Sequence, residues 1–339
     1  EVTNDDGGTE TAGDWTLYAR TLCEMGDTDP ACGFSDSGDS TSYHSLEAGK
    51  VYRLWEDGSD DYTEGSWSCT SGTLDGNNLV LGLDEDVTCT ITNDDIAPTL
   101  KLVKEVITND GGVAEAGDWT LYARTLCPMG SIDPACGFSD SGDSTTFYEL
   151  EAGKVYRLWE EGPEGYTQGS WSCNGGTLND SNLSLGLNED VTCTITNNDV
   201  APTLKLVKEV TNDDGGIETA GDWTLYARRL CLEGNDDPTC GFSDTGDSTT
   251  FYALEAGKVY RLWEEGSAGY SEGTWSCTGG GNLLNNNLIL GLDEDVTCTI
   301  TNDDIAPTLR LVKEVTNDDG GVAEAGDWTL YARTLCPMG

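Results

Sequence analysis

The phrase GDWTLYAR occurs at residues 13, 117, 221 and 326, so the chain repeats with a period of 104, 104 and then 105 residues. A period of this size is that of one small domain, and a chain with four occurrences of the same phrase is a tandem array. The other phrases keep a fixed order: EVTNDDGG, GDWTLYAR, a cysteine-bearing polar loop, EAGKVYRLWE, GSWSC, LGLDEDVTCTITND and APTLKLVK. The copies differ mainly in loops, EMGDTDPA at 24 to 31 becoming PMGSIDPA at 128 to 135 and LEGNDDPT at 232 to 239.

Turn chemistry places the boundaries. Ala97 and Pro98 follow an Asn-Asp-Asp cluster, so whole domains should run over 97–200 and 201–305. Residues 1–96 then form a partial repeat without its first strand, and 306–339 hold the opening strands of a fourth. The expected reading is a window on a longer array. The sharper alternative is exchange of the spare strand at 308–313 into the gap of a neighbouring chain's first domain. Within these residues no signal peptide, no LPxTG-like sorting signal and no apolar run long enough to span a membrane is expected.

Within a copy the apolar period is two. Leu100, Leu102 and Lys104 share a face, as do Trp119, Leu121 and Ala123, then Tyr156, Leu158 and Glu160, then Val191, Cys193, Ile195 and Asn197. Gly, Asn and Asp clusters interrupt these runs, and no stretch holds a 3.6-residue period. The expected fold is all-β: a tandem array of immunoglobulin-like β-sandwich domains with Trp119 and Tyr156 inside.

Cysteine arithmetic supports the unit. Cys23, Cys32, Cys69 and Cys89 recur as Cys127, Cys136, Cys173 and Cys193, then as Cys231, Cys240, Cys277 and Cys298. Four cysteines allow three pairings, and spacing favours Cys23 with Cys32 and Cys69 with Cys89. The thirteenth, Cys336, corresponds to Cys23. A bridge closing about 20 residues contributes about 3 kcal/mol, large beside the net stability of a small domain. So many cysteines imply an oxidising, extracellular or cell-surface setting.

Charge and composition narrow the function. Acidic residues outnumber basic ones 62 to 17, a net charge of −45, which excludes nucleic acid as a partner. One histidine, His44, and no nucleophile with a base in a shared motif argue against an enzyme. Zinc-type CxxC spacing is absent, and no cofactor is expected. Acidic loops at the copy junctions, with Asp94, Asp95 and Asp110, are candidates for Ca²⁺, although EF-hand spacing is missing. Two adjacent sequons occur only in the second copy, at Asn179 and Asn182, and make covalent glycans possible there.

The order LxLVKxVxNDxGG, DWTL, YxLxExGxxGYTxGxWSC, CTITND resembles the prealbumin-like (Cna-B or SpaA-like) repeat domains of bacterial surface proteins, over nearly the whole chain. The resemblance implies an immunoglobulin-like sandwich used outside the cell as a stalk, pilus or fibre module. It also implies a Lys-to-Asn isopeptide bond promoted by a carboxylic acid, at Lys104, Glu160 and Asn197 and again at Lys208, Glu264 and Asn302. Strand parity supports the same residues independently, since each shares the face of its strand's apolar neighbours. Glu56 and Asn93 occupy the matching positions of the first copy, where the lysine falls before residue 1, and Lys313 has no partners in the window.

Two functions follow. The first is a structural fibre, pilus or stalk whose partners are neighbouring copies of the same chain. The second is an adhesin or Ca²⁺-dependent arm that recognises a surface or glycan ligand through loops such as 128–135 or 161–168.

Overall fold

The computed structural model describes residues 1–21, 32–125, 136–229 and 240–334. The chain divides after Val200 into two compact units, Glu1–Val200 and Ala201–Gly339. Strands make up nearly all the regular structure, joined by short 3₁₀ turns.

The second copy shows the complete fold. One sheet runs in the order Tyr148–Glu149, Thr99–Ile107, Asp190–Asp199, Tyr166–Gln168, and Ser172–Cys173 also pairs with Asp190–Asp199. The other runs Gly137–Ser141, Thr120–Arg124, Val155–Glu161, Asn182–Ser184, Thr177–Asn179. Alternation sends one residue in two inward, and the two inner faces form the core. Leu100, Leu121, Tyr156, Leu183 and Ile195 meet there fully buried. The third copy repeats both sheets, with Thr203–Thr211 and Asp295–Asp304 as its first and last strands.

First and last strands are adjacent and parallel, an arrangement that needs a long excursion between them and here encloses the whole copy. In register, Lys104 lies opposite Ile195 and Val106 opposite Asn197.

In the first copy only Val2–Thr3 stands for the first strand, pairing parallel to Asn93–Asp94. Its second sheet is complete, in the order Gly33–Ser37, Thr16–Arg20, Val51–Asp57, Asn78–Val80, Thr73–Asp75. The segment expected to open a fourth repeat forms no strand over its described residues 306–334, and among the described residues no strand pairs with it. Its 3₁₀ turn, Ala325–Asp327, is nevertheless in place.

Within the first unit, neighbouring copies touch through backbone. Ala152 N–H donates to Asp6 O at 2.8 Å, and Asn188 N–H to Ile96 O at 2.9 Å. Gly7, at φ +99°, suits this contact because a Cβ there would lie 2.5 Å from Ala152 O.

Disulfides Cys69–Cys89, Cys173–Cys193 and Cys277–Cys298 are formed, each between directly opposed residues of antiparallel strands. Cys23, Cys127 and Cys231, expected to pair with Cys32, Cys136 and Cys240, lie outside the described residues, as do loops 24–31, 128–135 and 232–239.

Candidate functional site

Three polar side chains enter the apolar interior of the second copy. Lys104 arrives from the first strand, Asn197 from the last, and Glu160 from the opposite sheet, where it faces Leu121 across a strand pair. Parity dictates this: Leu102 and Ile195 are buried, so the residues two positions on are carried inward too.

Lys104 Nζ donates to Glu160 Oε2 at 2.7 Å, and Asn197 Nδ2 donates to Glu160 Oε1 at 2.6 Å. One carboxylate thus holds both nitrogens. Lys104 and Asn197 are 4% and 3% exposed, so water does not compete for these bonds. Burial lowers the Lys104 amine below the ordinary lysine range, against the hydrogen bond and charge of Glu160. Asn197 Oδ1 is buried without a hydrogen-bond partner. An unpaired carboxamide oxygen in an apolar interior is costly unless it is used.

The third copy repeats the cluster. Lys208 Nζ donates to Glu264 at 2.7 Å and Asn302 Nδ2 donates to its other oxygen at 2.5 Å. Lys208 is likewise lowered by burial. Gly273 N–H approaches Asn302 Oδ1 at 3.4 Å. In the first copy Asn93 Nδ2 donates to Glu56 at 2.7 Å without a lysine between the strands. Burial raises the Glu56 carboxyl, with the Asn93 hydrogen bond opposing it and nearby Glu64 adding to it.

Sequence reasoning placed Trp119 in the core without seeing its relation to the site. Its ring centroid lies 4.8 Å from Lys104 Nζ, and Trp223 stands 4.9 Å from Lys208 Nζ. The readable signal was two glycines, Gly142 and Gly162. A Cβ on Gly142 would fall 2.6 Å from Lys104 Cβ, and one on Gly162 would fall 2.2 Å from the Trp119 ring.

The remaining candidates are elsewhere. Asp95 is buried, and its carboxylate accepts from the backbone N–H groups of Asp5, Asp6 and Gly8. Asp199 does the same for Asn109, Asp110 and Gly112, so the Asp110 backbone serves as a donor. Among the described residues, acids close enough to share an ion are Asp5, Asp6 and Asp95, and Asp213, Asp303 and Asp304; Asp94 and Asp110 belong to neither group. At Asp304, where burial opposes ionisation, the N–H groups of Gly216, Asp214 and Asp213 hold the carboxyl below its usual range. Hydrogen bonds from N–H groups fit a loop-organising anion. Asn179 and Asn182 oppose each other, exposed, across a hairpin turn at Asp180.

Residues 1–91, 95–195, 199–300 and 304–338 match the family described as the prealbumin-like fold domain. Comparison with curated proteins found no match. Similar solved structures include the Bacillus anthracis TIE protein, 12% identical, covering 86% of this chain and 51% of that one, with a TM-score of 0.38. A major pilin (T-13) of Streptococcus pyogenes is 16% identical, covering 61% and 97%, with a TM-score of 0.26. The pilus adhesin SpaC of Lactobacillus rhamnosus GG is 12% identical, covering 90% and 43%, with a TM-score of 0.26. The chain thus spans about half the length of the B. anthracis protein.

Proposed function

Since the chain belongs to the prealbumin-like fold domain family, an extracellular array of disulfide-bonded β-sandwiches, we propose that it is a structural stalk or fibre segment whose complete copies are closed by internal Lys–Asn isopeptide bonds. The observation that carries this reading is the buried Lys104–Glu160–Asn197 cluster joining first strand to last.

Glu160 touches both reacting nitrogens, so it is the proton carrier. The neutral Lys104 amine attacks Asn197 Cγ. The Nζ–Cγ bond forms and the Cγ–Nδ2 bond breaks. One proton leaves Nζ, passes through Glu160 and reaches Nδ2, which departs as ammonia while Glu160 returns to its starting state. Lys208, Glu264 and Asn302 perform the same exchange. No separate substrate is consumed, so this is self-modification of a structural protein.

The position of the bond explains its use. Tension enters a copy through its first strand and leaves through its last. A covalent link from Lys104 to Asn197 passes the load directly between them. Everything from 105 to 196, Cys173–Cys193 included, then lies off the load path. Fibre partners are other copies of the chain.

Intact mass after reduction tests the reading. The full chain should be lighter than its sequence by two ammonia molecules, by one after Glu160→Ala, and by none after Glu160→Ala with Glu264→Ala. A wild-type chain at its full sequence mass refutes the bond.

A further inference from the structure

The proton-carrying chemistry leaves one neighbour of the lysine without a task, the indole of Trp119. At 4.8 Å from the ring centroid, Lys104 Nζ is within the range at which an aromatic face attracts a cation, and Trp119 is only 2% exposed. The third copy has the same contact at 4.9 Å.

The indole is held from several sides. The 3₁₀ turn Ala116–Asp118 delivers it, closed by Asp118 accepting the Glu115 N–H at 2.8 Å. Tyr166 meets it edge to face at 5.2 Å, and Tyr166 Oη is itself fixed by the Ala114 N–H at 3.0 Å. Gly162 lets the ring lie against the turn and Gly142 lets the lysine stem pass.

The contact also forms where the cluster does not. Lys313 Nζ lies 4.9 Å from the Trp328 ring in a segment without strands. One loop separates lysine from tryptophan in the chain, whereas nearly a whole copy separates lysine from asparagine. Tryptophan is therefore the partner available before the last strand has docked.

We propose that Trp119 and Trp223 are positioning residues whose indole faces hold the lysine amine as a cation beside its carboxylate, and so set the pH at which that amine is released for attack. The consequence for attack rests on the cross-link reading; the hold on the cation does not.

The surrounding charges are few. Glu160, from the facing sheet, is the acid acting on Lys104; Asn197, Gly142 and Trp119 are uncharged. Exposed Glu105, Asp143 and Glu161 are engaged by Thr196, Ser141 and Tyr122. At Lys208 the acids are Glu264 and, more weakly, Glu272, which replaces Gln168 of the second copy. Burial favours the neutral amine, and the indole works with the carboxylate against it.

The test uses the full chain with Asn197→Ala and Asn302→Ala, which keeps both amines free, and follows lysine ¹³Cε shifts against pH. Adding Trp119→Leu should lower the Lys104 midpoint by about one pH unit, about tenfold in ionisation constant, and Trp119→Phe by part of that. Lys208 in the same molecule should not move. An unchanged or raised Lys104 midpoint overturns the proposal. Should the leucine variant unfold, the phenylalanine variant decides, since it keeps a ring in the core. With the acceptors removed, the titration stands whether or not the wild-type chain loses ammonia, so the two readings fail separately.

Discussion

The first and second copies carry nearly the same closing phrase, VTCTITN, yet fold it differently. In the second copy it forms one ten-residue strand, Asp190–Asp199, with Val191, Cys193 and Ile195 at 1% exposure or less. In the first it is two short pieces, Cys89–Thr90 and Asn93–Asp95, and Val87 and Cys89 are only partly buried. The second copy has Thr99–Ile107 alongside; the first has only Val2–Thr3. The last strand owes its regularity to the parallel neighbour rather than to its own propensity. The same neighbour delivers the lysine.

The largest effect that should separate the copies is at the buried pair. With Asn197→Ala in place, so that no cross-link forms, adding Lys104→Ala strands Glu160 in the core and should cost the second copy about 3–5 kcal/mol, bringing its hydrogen exchange towards that of the first. Glu56→Gln in the first copy, which separates no ion pair, should change exchange far less. Equal losses would mean that the pair is not what distinguishes them.

The disulfides should not separate them. Cys69–Cys89 and Cys173–Cys193 close the same sequence separation of 20. Replacing either pair by serine should cost about 3 kcal/mol in denaturant unfolding, with similar losses in both copies. Next in size is Gly162→Ala, whose Cβ would press on Trp119. It should cost about 1–3 kcal/mol and lower Tm, and Gly58→Ala against Trp15 should act alike.

The smallest effect is on pH dependence, and its sign differs between copies. Burial raises Glu56, so the folded first copy favours the protonated acid. That contribution is present below the ordinary carboxylate range and is lost as pH rises through the raised value. Burial lowers Lys104, so with Asn197→Ala in place the neutral amine stabilises the second copy above the ordinary lysine range. This contribution is lost as pH falls through the lowered value. Exchange rates followed copy by copy against pH should drift in opposite directions at the two ends of the scale.

Much of this was legible in the residues. The period fixed the repeating unit, and strand parity aimed Lys104, Glu160 and Asn197 inward because Leu102, Leu158 and Ile195 had to be buried. Spacing found Cys69–Cys89. Parity says which way a side chain points but not how far it reaches, so Glu160 touching both nitrogens emerged only from the packing of the two sheets. Asp95 was legible as a carboxylate at a copy junction, but the backbone N–H groups that donate to it leave no mark on the sequence. Trp119 read as core filling, since its alternation is that of any buried aromatic and ring orientation leaves no mark on a pattern of apolar positions.

The parallel run of first and last strands has one more consequence. The chain exits each sandwich heading the way it came in, so no return segment is required before the next begins. Gene duplication can therefore lengthen such a protein by whole beads, each insertion leaving the beads before and after it with their own strands intact.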